Sequence, residues 1–139
     1  MKDKTILVVE DDPTLARFWG RLLSDMHCRH YHIASSPHDA LDWMKENGSD
    51  ILVADLNLPE ISGLQLIQKA RALNRKMRAI LTSTSFNENG SKPANGFIHF
   101  LKKPYQKLDK VYQFIGFLMK NDRHIRDAEK KGQVHIWDL

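Results

Sequence analysis

The sequence predicts an α/β domain, a doubly wound parallel sheet with helices on both faces. Two observations carry this. Short apolar runs alternate with segments whose apolar residues recur at helical spacing, the pattern of successive βα units. Polar groups then close the apolar runs: Glu10-Asp11-Asp12 after Ile6-Leu7-Val8-Val9, Asp55 after Ile51-Leu52-Val53-Ala54, and Lys103-Pro104 after Phe97-Ile98-His99-Phe100-Leu101. In an open parallel sheet the functional crevice lies beyond the carboxyl ends of the strands.

The elements follow in order. Thr5–Val9 reads as the first strand. Asp12-Pro13-Thr14 then opens a helix, with a capping side chain and a proline just inside. Leu15, Phe18, Trp19, Leu22, Leu23 and Met26 continue it at helical spacing. A second strand is expected at His30–Ala34. Ser36-Pro37-His38-Asp39 starts the next helix, with Ala40, Leu41 and Met44 inward, and Asn47-Gly48 stops it. Residues 50–54 form the third strand, 56–63 a loop, and Leu64, Ile67, Ala70 and Leu73 mark the third helix. The fourth strand spans about 77–83. Residues 87–96 are rich in Asn, Gly, Ser and Pro, which argues for loop rather than helix. The fifth strand is 97–102. A last helix begins near Tyr105 and carries Leu108, Val111, Tyr112, Ile115, Leu118 and Met119, with its continuation through Ile125 and Ala128 left open. Residues 133–139 read as a tail or the start of a linker.

Composition narrows the function classes. The 139 residues suffice for one compact domain, and 42% apolar residues give it a core. One cysteine, Cys28, excludes a disulfide framework and makes a reducing cytoplasm the expected location. No apolar stretch reaches membrane-span length, and Met1-Lys2-Asp3-Lys4 leads into a strand rather than a signal peptide. The net charge of +4 comes from the C-terminal part: residues 1–100 hold 12 Lys/Arg and 12 Asp/Glu, residues 101–139 hold 9 and 5. These bases are interrupted by acids and no DNA-reading motif is present, so direct nucleic-acid binding is not expected.

The three polar strand ends suit phosphoryl chemistry. A carboxylate such as Asp55 can attack phosphorus and carry the group as a mixed anhydride. Two anions must then approach, so a divalent cation has to bridge them. Mg2+ takes oxygen ligands and keeps several waters. Asp11 and Asp55 are the expected direct ligands, Glu10 acts through water, and the carbonyl of Asn57 completes the protein's share. Lys103 would neutralise the phosphoryl oxygens as a point charge. A hydroxyl at the end of the fourth strand, among Thr82, Ser83 and Thr84, would bond the same oxygens. Each piece is weak alone, since acidic triplets are usually solvated and Lys-Pro is common. Their order, each at a strand end in successive βα units, is what carries the reading.

These residues together resemble the receiver domain of two-component response regulators, over about residues 4–120. Glu10 and Asp11 fall on the family's acidic pair. Asp55-Leu56-Asn57-Leu58-Pro59-Glu60-Ile61-Ser62-Gly63 is similar to its phosphoacceptor segment, and Lys103-Pro104 to its lysine followed by a commonly cis proline. Phe100 takes the place of the aromatic switch residue. The resemblance implies a CheY-like (flavodoxin-like) sheet of five parallel strands in order 2-1-3-4-5, with Mg2+ bound. It also implies phosphorylation of Asp55 by a sensor histidine kinase or histidine phosphotransfer protein. Ser83 and Phe100 would then switch conformation to control a partner, a second copy or an attached output domain. Such a domain is a substrate and slow self-phosphatase rather than an enzyme. The receiver would occupy residues 1–120, with 121–139 as helix extension and tail or linker. Two departures stand out. Register from Asp55 selects Ser83 as the switch hydroxyl with Thr84 as the alternative, and the stretch from there to Lys103 is short, leaving the fourth helix shortened or replaced by loop.

Other features have simpler readings. His30 and His32 share one strand face near Cys28, but polar residues on an edge strand serve to blunt edge pairing. Trp137, beside Val134 and Ile136, must pack on its own domain, pair with a second subunit or lead into a further domain. Two functions compete with the phosphoacceptor switch. A phosphorylation-independent interaction module would keep the fold without binding Mg2+. An aspartyl phosphohydrolase would need a second acid two residues after Asp55, where Asn57 stands.

Overall fold

A computed structural model describes residues 4–84 and 96–139. The inner strands β1, β3, β4 and β5 are short, largely apolar and closed by a polar residue, whereas β2 and β6 at the edges are mixed. The strands are β1 (Thr5–Val9), β2 (His30–Ala34), β3 (Ile51–Asp55), β4 (Arg78–Ser83), β5 (Ile98–Lys102) and β6 (Val134–Trp137). All pair in parallel in the order β2-β1-β3-β4-β5-β6. The fold is a parallel α/β sheet close to the flavodoxin-like arrangement, with the expected 2-1-3-4-5 order and one further strand.

Local chemistry starts the helices where the sequence signals them. Helix α1 (Pro13–Asp25) has Pro13 at its first position, and the Asp12 carboxylate accepts from Thr14 N at 2.9 Å. Helix α2 (Pro37–Asn47) is capped by Ser36, whose Oγ accepts from Asp39 N at 3.2 Å. Helix α3 (Gly63–Leu73) opens on a reciprocal capping box between Ser62 and Gln65. Apolar stripes then fix the faces. Ile6, Val8, Ile51, Val53, Ile80 and Leu101 meet α1 and the C-terminal helices on one side. Leu7, Val9, Leu52, Ala54, Leu81 and Phe100 meet α2 and α3 on the other. This period-two division of each strand is what a sheet covered on both faces requires.

The C-terminal part departs from expectation. The last helix starts at Leu108, not near Tyr105, because Tyr105 is drawn down against Phe18 and Trp19, with ring centroids 5.5 and 6.1 Å away. It ends as α4 (Leu108–Met119); Asn121 adopts a left-handed φ of 52°, and the Asp122 side chain caps a separate helix, α5 (Arg123–Glu129). Residues 133–139, expected as a tail or linker, contain β6 instead. It pairs with β5 from Ile98↔Val134 to Leu101↔Trp137. The physical reason is that β5 would otherwise present an unpaired edge, and the α4–α5 crossover is long enough to return the chain parallel to it. The expectation of a missing or shortened fourth helix falls on residues 85–95, outside the described residues.

Trp137 packs on its own domain. Its ring lies 4.9 Å from that of Phe114, and its indole N–H donates to Nδ1 of buried His99 at 3.2 Å. The other ring nitrogen of His99 meets Glu129 at 2.9 Å, and Glu129 is also bonded by Arg78 through Nε and Nη2 at 2.9 and 3.1 Å. This network joins β4, β5, α5 and β6.

Candidate functional site

The carboxyl ends of β1, β3 and β5 bring their polar residues together. Glu10 directly follows β1 and is 2% exposed, with its N–H bonded to the Ala34 carbonyl at 3.0 Å. Asp55 is the last residue of β3. Lys103 follows β5 by one position, and its N–H donates to the Ser83 carbonyl at 2.8 Å. The Lys103 ammonium lies 3.1 Å from Glu10 Oε1 and 3.3 Å from Asp55 Oδ2, bridging two strands separated from its own. The Lys103-Pro104 peptide is cis.

The electrostatics fit a divalent cation. Burial pushes the Glu10 carboxyl above its ordinary range, and the nearby charge of Asp55 adds to this, against the pull of Lys103. Three carboxylates, Glu10, Asp11 and Asp55, thus gather at one lysine. Glu10, Asp11 and Asp55 each offer an oxygen within 4.8 Å of the others, the group among the described residues placed to share an ion. Octahedral Mg2+ with bonds of about 2.0–2.1 Å needs ligand oxygens roughly 3–4 Å apart, so small side-chain movements suffice. Asp12 faces another task, capping α1. Asn57 is exposed in the loop after β3, and its N–H donates to Asp55 Oδ1 at 3.2 Å.

Backbone packing holds Asp55 in place. A Cβ at Gly63 would fall 2.2 Å from the Asp55 carbonyl oxygen, so only glycine lets α3 begin against the end of β3. Gly63 N also donates to the Leu56 carbonyl at 2.9 Å, closing the loop that bears Asn57.

The hydroxyl residues divide. Thr82 pairs in register with Asp55, and both Thr82 and Ser83 are buried, whereas Thr84 lies beyond the strand and is exposed. Strand alternation places Ser83 on the side of Leu81 and Phe100, and Thr82 on the side of Ile80 and Leu101. Phe100 is fully buried. The histidines near Cys28 form no metal group with it among the described residues; His32 stacks on Trp43 at 5.2 Å, with Nε2 3.5 Å from Asp39.

Tyr105, expected at the start of the last helix, lies before it as a neighbour of the site. Burial raises its hydroxyl above the ordinary range, with Glu10 adding to the effect, and the ring packs against Phe18 and Trp19. An aromatic directly after Lys103-Pro104 was the available signal.

Comparison with known proteins gives the same answer as the geometry. The family model for the response regulator receiver domain matches residues 6–113. The chain is 27% identical over 122 residues to chemotaxis protein CheY-3 of Vibrio cholerae, covering 81% of this chain and 94% of that protein. It is 31% identical over 104 residues to transcriptional regulatory protein MalR of Bacillus subtilis, covering 73% of this chain and 44% of that one. The solved response regulator receiver domain (CheY-like) from Methylobacillus flagellatus superposes with a TM-score of 0.67 at 25% identity, over 84% of this chain and 99% of that one. No helix among the described residues is long and apolar enough to cross a membrane. A match spanning residues 6–113, on a parallel sheet whose strand ends carry Glu10, Asp11, Asp55 and Lys103, means that this chain belongs to the response regulator receiver domain family.

Proposed function

We propose that Asp55 accepts a phosphoryl group from a histidine kinase or histidine phosphotransfer protein in the cytoplasm, and that the modified domain controls a partner or output domain. The observation that carries this is the Lys103 ammonium shared between Glu10 and Asp55, with Asp11 alongside. An Asp55 carboxylate oxygen attacks phosphorus as the bond from phosphorus to the donor's histidine nitrogen breaks, and the electron pair returns to that nitrogen. The product is a mixed anhydride on Asp55. Glu10, Asp11, Asp55 and the Asn57 carbonyl would hold Mg2+, which supplies the charge neutralisation that lets two anions meet. Lys103 then follows the new phosphoryl oxygens as a fixed positive charge.

Ser83 is our choice for the hydroxyl that binds those oxygens, because it lies on the side of Phe100. A movement of Ser83 toward Asp55 would free space into which the aromatic ring can turn, biasing a two-state surface. The domain acts as substrate and switch, with at most slow self-dephosphorylation.

The test is intact mass after incubation with acetyl phosphate and Mg2+. One phosphoryl group should be gained, and lost both in Asp55→Asn and in a chelated sample. No gain in the native protein, with acetyl phosphate or with a panel of histidine kinases, would leave a phosphorylation-independent interaction module as the better reading.

A further inference from the structure

Among the described residues, the opposite end of the sheet holds a cation with no carboxylate of its own. Arg71, in the last turn of α3, is only 6% exposed. Its Nε donates to the Met77 carbonyl at 3.3 Å and its Nη2 to the Phe97 carbonyl, so the guanidinium ties α3 to the entrances of β4 and β5. Both partners are neutral. Among the described residues, the carboxylate that acts on it is Glu129, which is already bonded to Arg78 and His99. A buried charge is ordinarily paired, and among the described residues Arg71 forms no ion pair. Burial accordingly pulls its guanidinium below the usual value, with Glu129 opposing only at a distance.

Among the described residues, two clefts lie beside Arg71. A cleft of about 550 Å3 is lined by Arg71, Ala72, Arg75 and Gly96. It shares Arg71, Arg75 and Gly96 with a second cleft of about 290 Å3 that also reaches Lys4, Lys76 and Arg78. Gly96 borders the first cleft in a left-handed conformation, φ 129°, that favours glycine. Lys4, Arg75 and Lys76 make no ion pair among the described residues. Among the described residues, the two clefts thus present five basic side chains, Lys4, Arg71, Arg75, Lys76 and Arg78, against Glu129, which is already engaged.

We infer that this groove binds a phosphate-bearing small anion of nucleotide size. Clefts of this volume match small-ligand sites. A guanidinium fixed by two carbonyls is a preorganised fork for phosphate oxygens. Arg75, Lys76 and Lys4 add charge around the mouth, and the partly buried Phe97 offers an apolar wall. The groove lies at the amino ends of the strands, away from Asp55, and its occupation does not depend on phosphorylation there.

The experiment is calorimetric titration of the whole chain with adenosine triphosphate and, separately, inorganic pyrophosphate, in chelator to keep divalent ions from the acidic end. Saturable binding is expected, unchanged in Asp55→Asn. The pair Arg75→Gln/Lys76→Gln, both exposed, should weaken it by about tenfold or more, the loss of two charge-assisted contacts. The pair Arg21→Gln/Arg123→Gln, exposed elsewhere, should leave it intact. Tighter binding of the triphosphate than of pyrophosphate assigns a nucleotide; equal binding assigns the phosphate alone. The proposal is overturned if neither ligand saturates or if both variant pairs weaken binding equally.

Discussion

The indole N–H of Trp137 donates to Nδ1 of His99 over 3.2 Å, across 38 residues of sequence. An indole has no acceptor lone pair to offer, so Nδ1 is the acceptor and the proton of neutral His99 sits on Nε2, pointing at Glu129. One bond from the sixth strand therefore sets the tautomer of a fully buried residue on the fifth. Trp137→Phe keeps most of the ring and leaves Nδ1 buried without its donor, at a cost of about 1–3 kcal/mol. Urea unfolding measures this directly. An unchanged midpoint would show that β6 contributes little to holding the sheet.

The same network predicts how stability responds to acid. Burial lowers His99 below its ordinary value of 6.5, with the Glu129 contacts opposing. Burial alone would raise Glu129, but the bonds from His99 and Arg78 outweigh it and hold the carboxyl at about 2 against an ordinary 4.5. Both folded values lie below the unfolded ones, so the unfolded chain takes up protons first as pH falls. The His99 contribution is whole above 6.5 and declines below it. That of Glu129 is whole above 4.5 and is lost toward about 2. Chemical denaturation at a series of pH values should show stability falling on acidification from neutral; a rise between about pH 7 and 5 would contradict the assignment.

Mg2+ should stabilise the fold through Glu10, Asp11 and Asp55. At about 100 times its dissociation constant a ligand specific for the native state adds about 2.7 kcal/mol. Thermal unfolding with and without the ion reads this as a rise in Tm. Asp11→Asn, at an exposed position, should remove most of the rise while leaving the metal-free Tm close to wild type.

Gly63 offers a backbone test. A Cβ there meets the Asp55 carbonyl oxygen at 2.2 Å, a contact that only movement of α3 or the β3 end can relieve. Gly63→Ala should destabilise by about 1–3 kcal/mol, the usual result of overpacking, and slow phosphoryl incorporation by displacing Asp55. Denaturation and intact mass separate the two effects.

Ser83→Ala and Thr82→Val discriminate between the two buried hydroxyls. With Ser83 as the switch, its alanine variant still gains a phosphoryl group but loses the accompanying change in amide exchange along β5, while Thr82→Val retains that change. The reverse pattern would transfer the role to Thr82.

Much of the fold is written locally. Asp12-Pro13, Ser36-Pro37 and Ser62 with Gln65 start helices by bonding to backbone within three residues, so their neighbours in sequence suffice to read them. The apolar runs ending in Glu10, Asp55 and Lys103 mark strands whose ends share one side of a parallel sheet, which is why most of the acidic site was legible too. The order of hydroxyls at Thr82, Ser83 and Thr84 was not, because one residue of register exchanges the faces of the sheet.

What the sequence by itself determined is the alternation of strands and helices, the starts of α1, α2 and α3, and the acids and lysine of the crevice. The tertiary structure alone decided the sixth strand, the break between α4 and α5, and the burial of His99 and Arg71. Val134-His135-Ile136-Trp137 is too short and mixed to announce a strand, and becomes one because β5 offers it an edge. Arg78 and Glu129, 51 residues apart, and His99 and Glu129, 30 apart, show no pattern along the chain. They meet only after the crossover has closed, when burial without a partner would cost more than the pairing does.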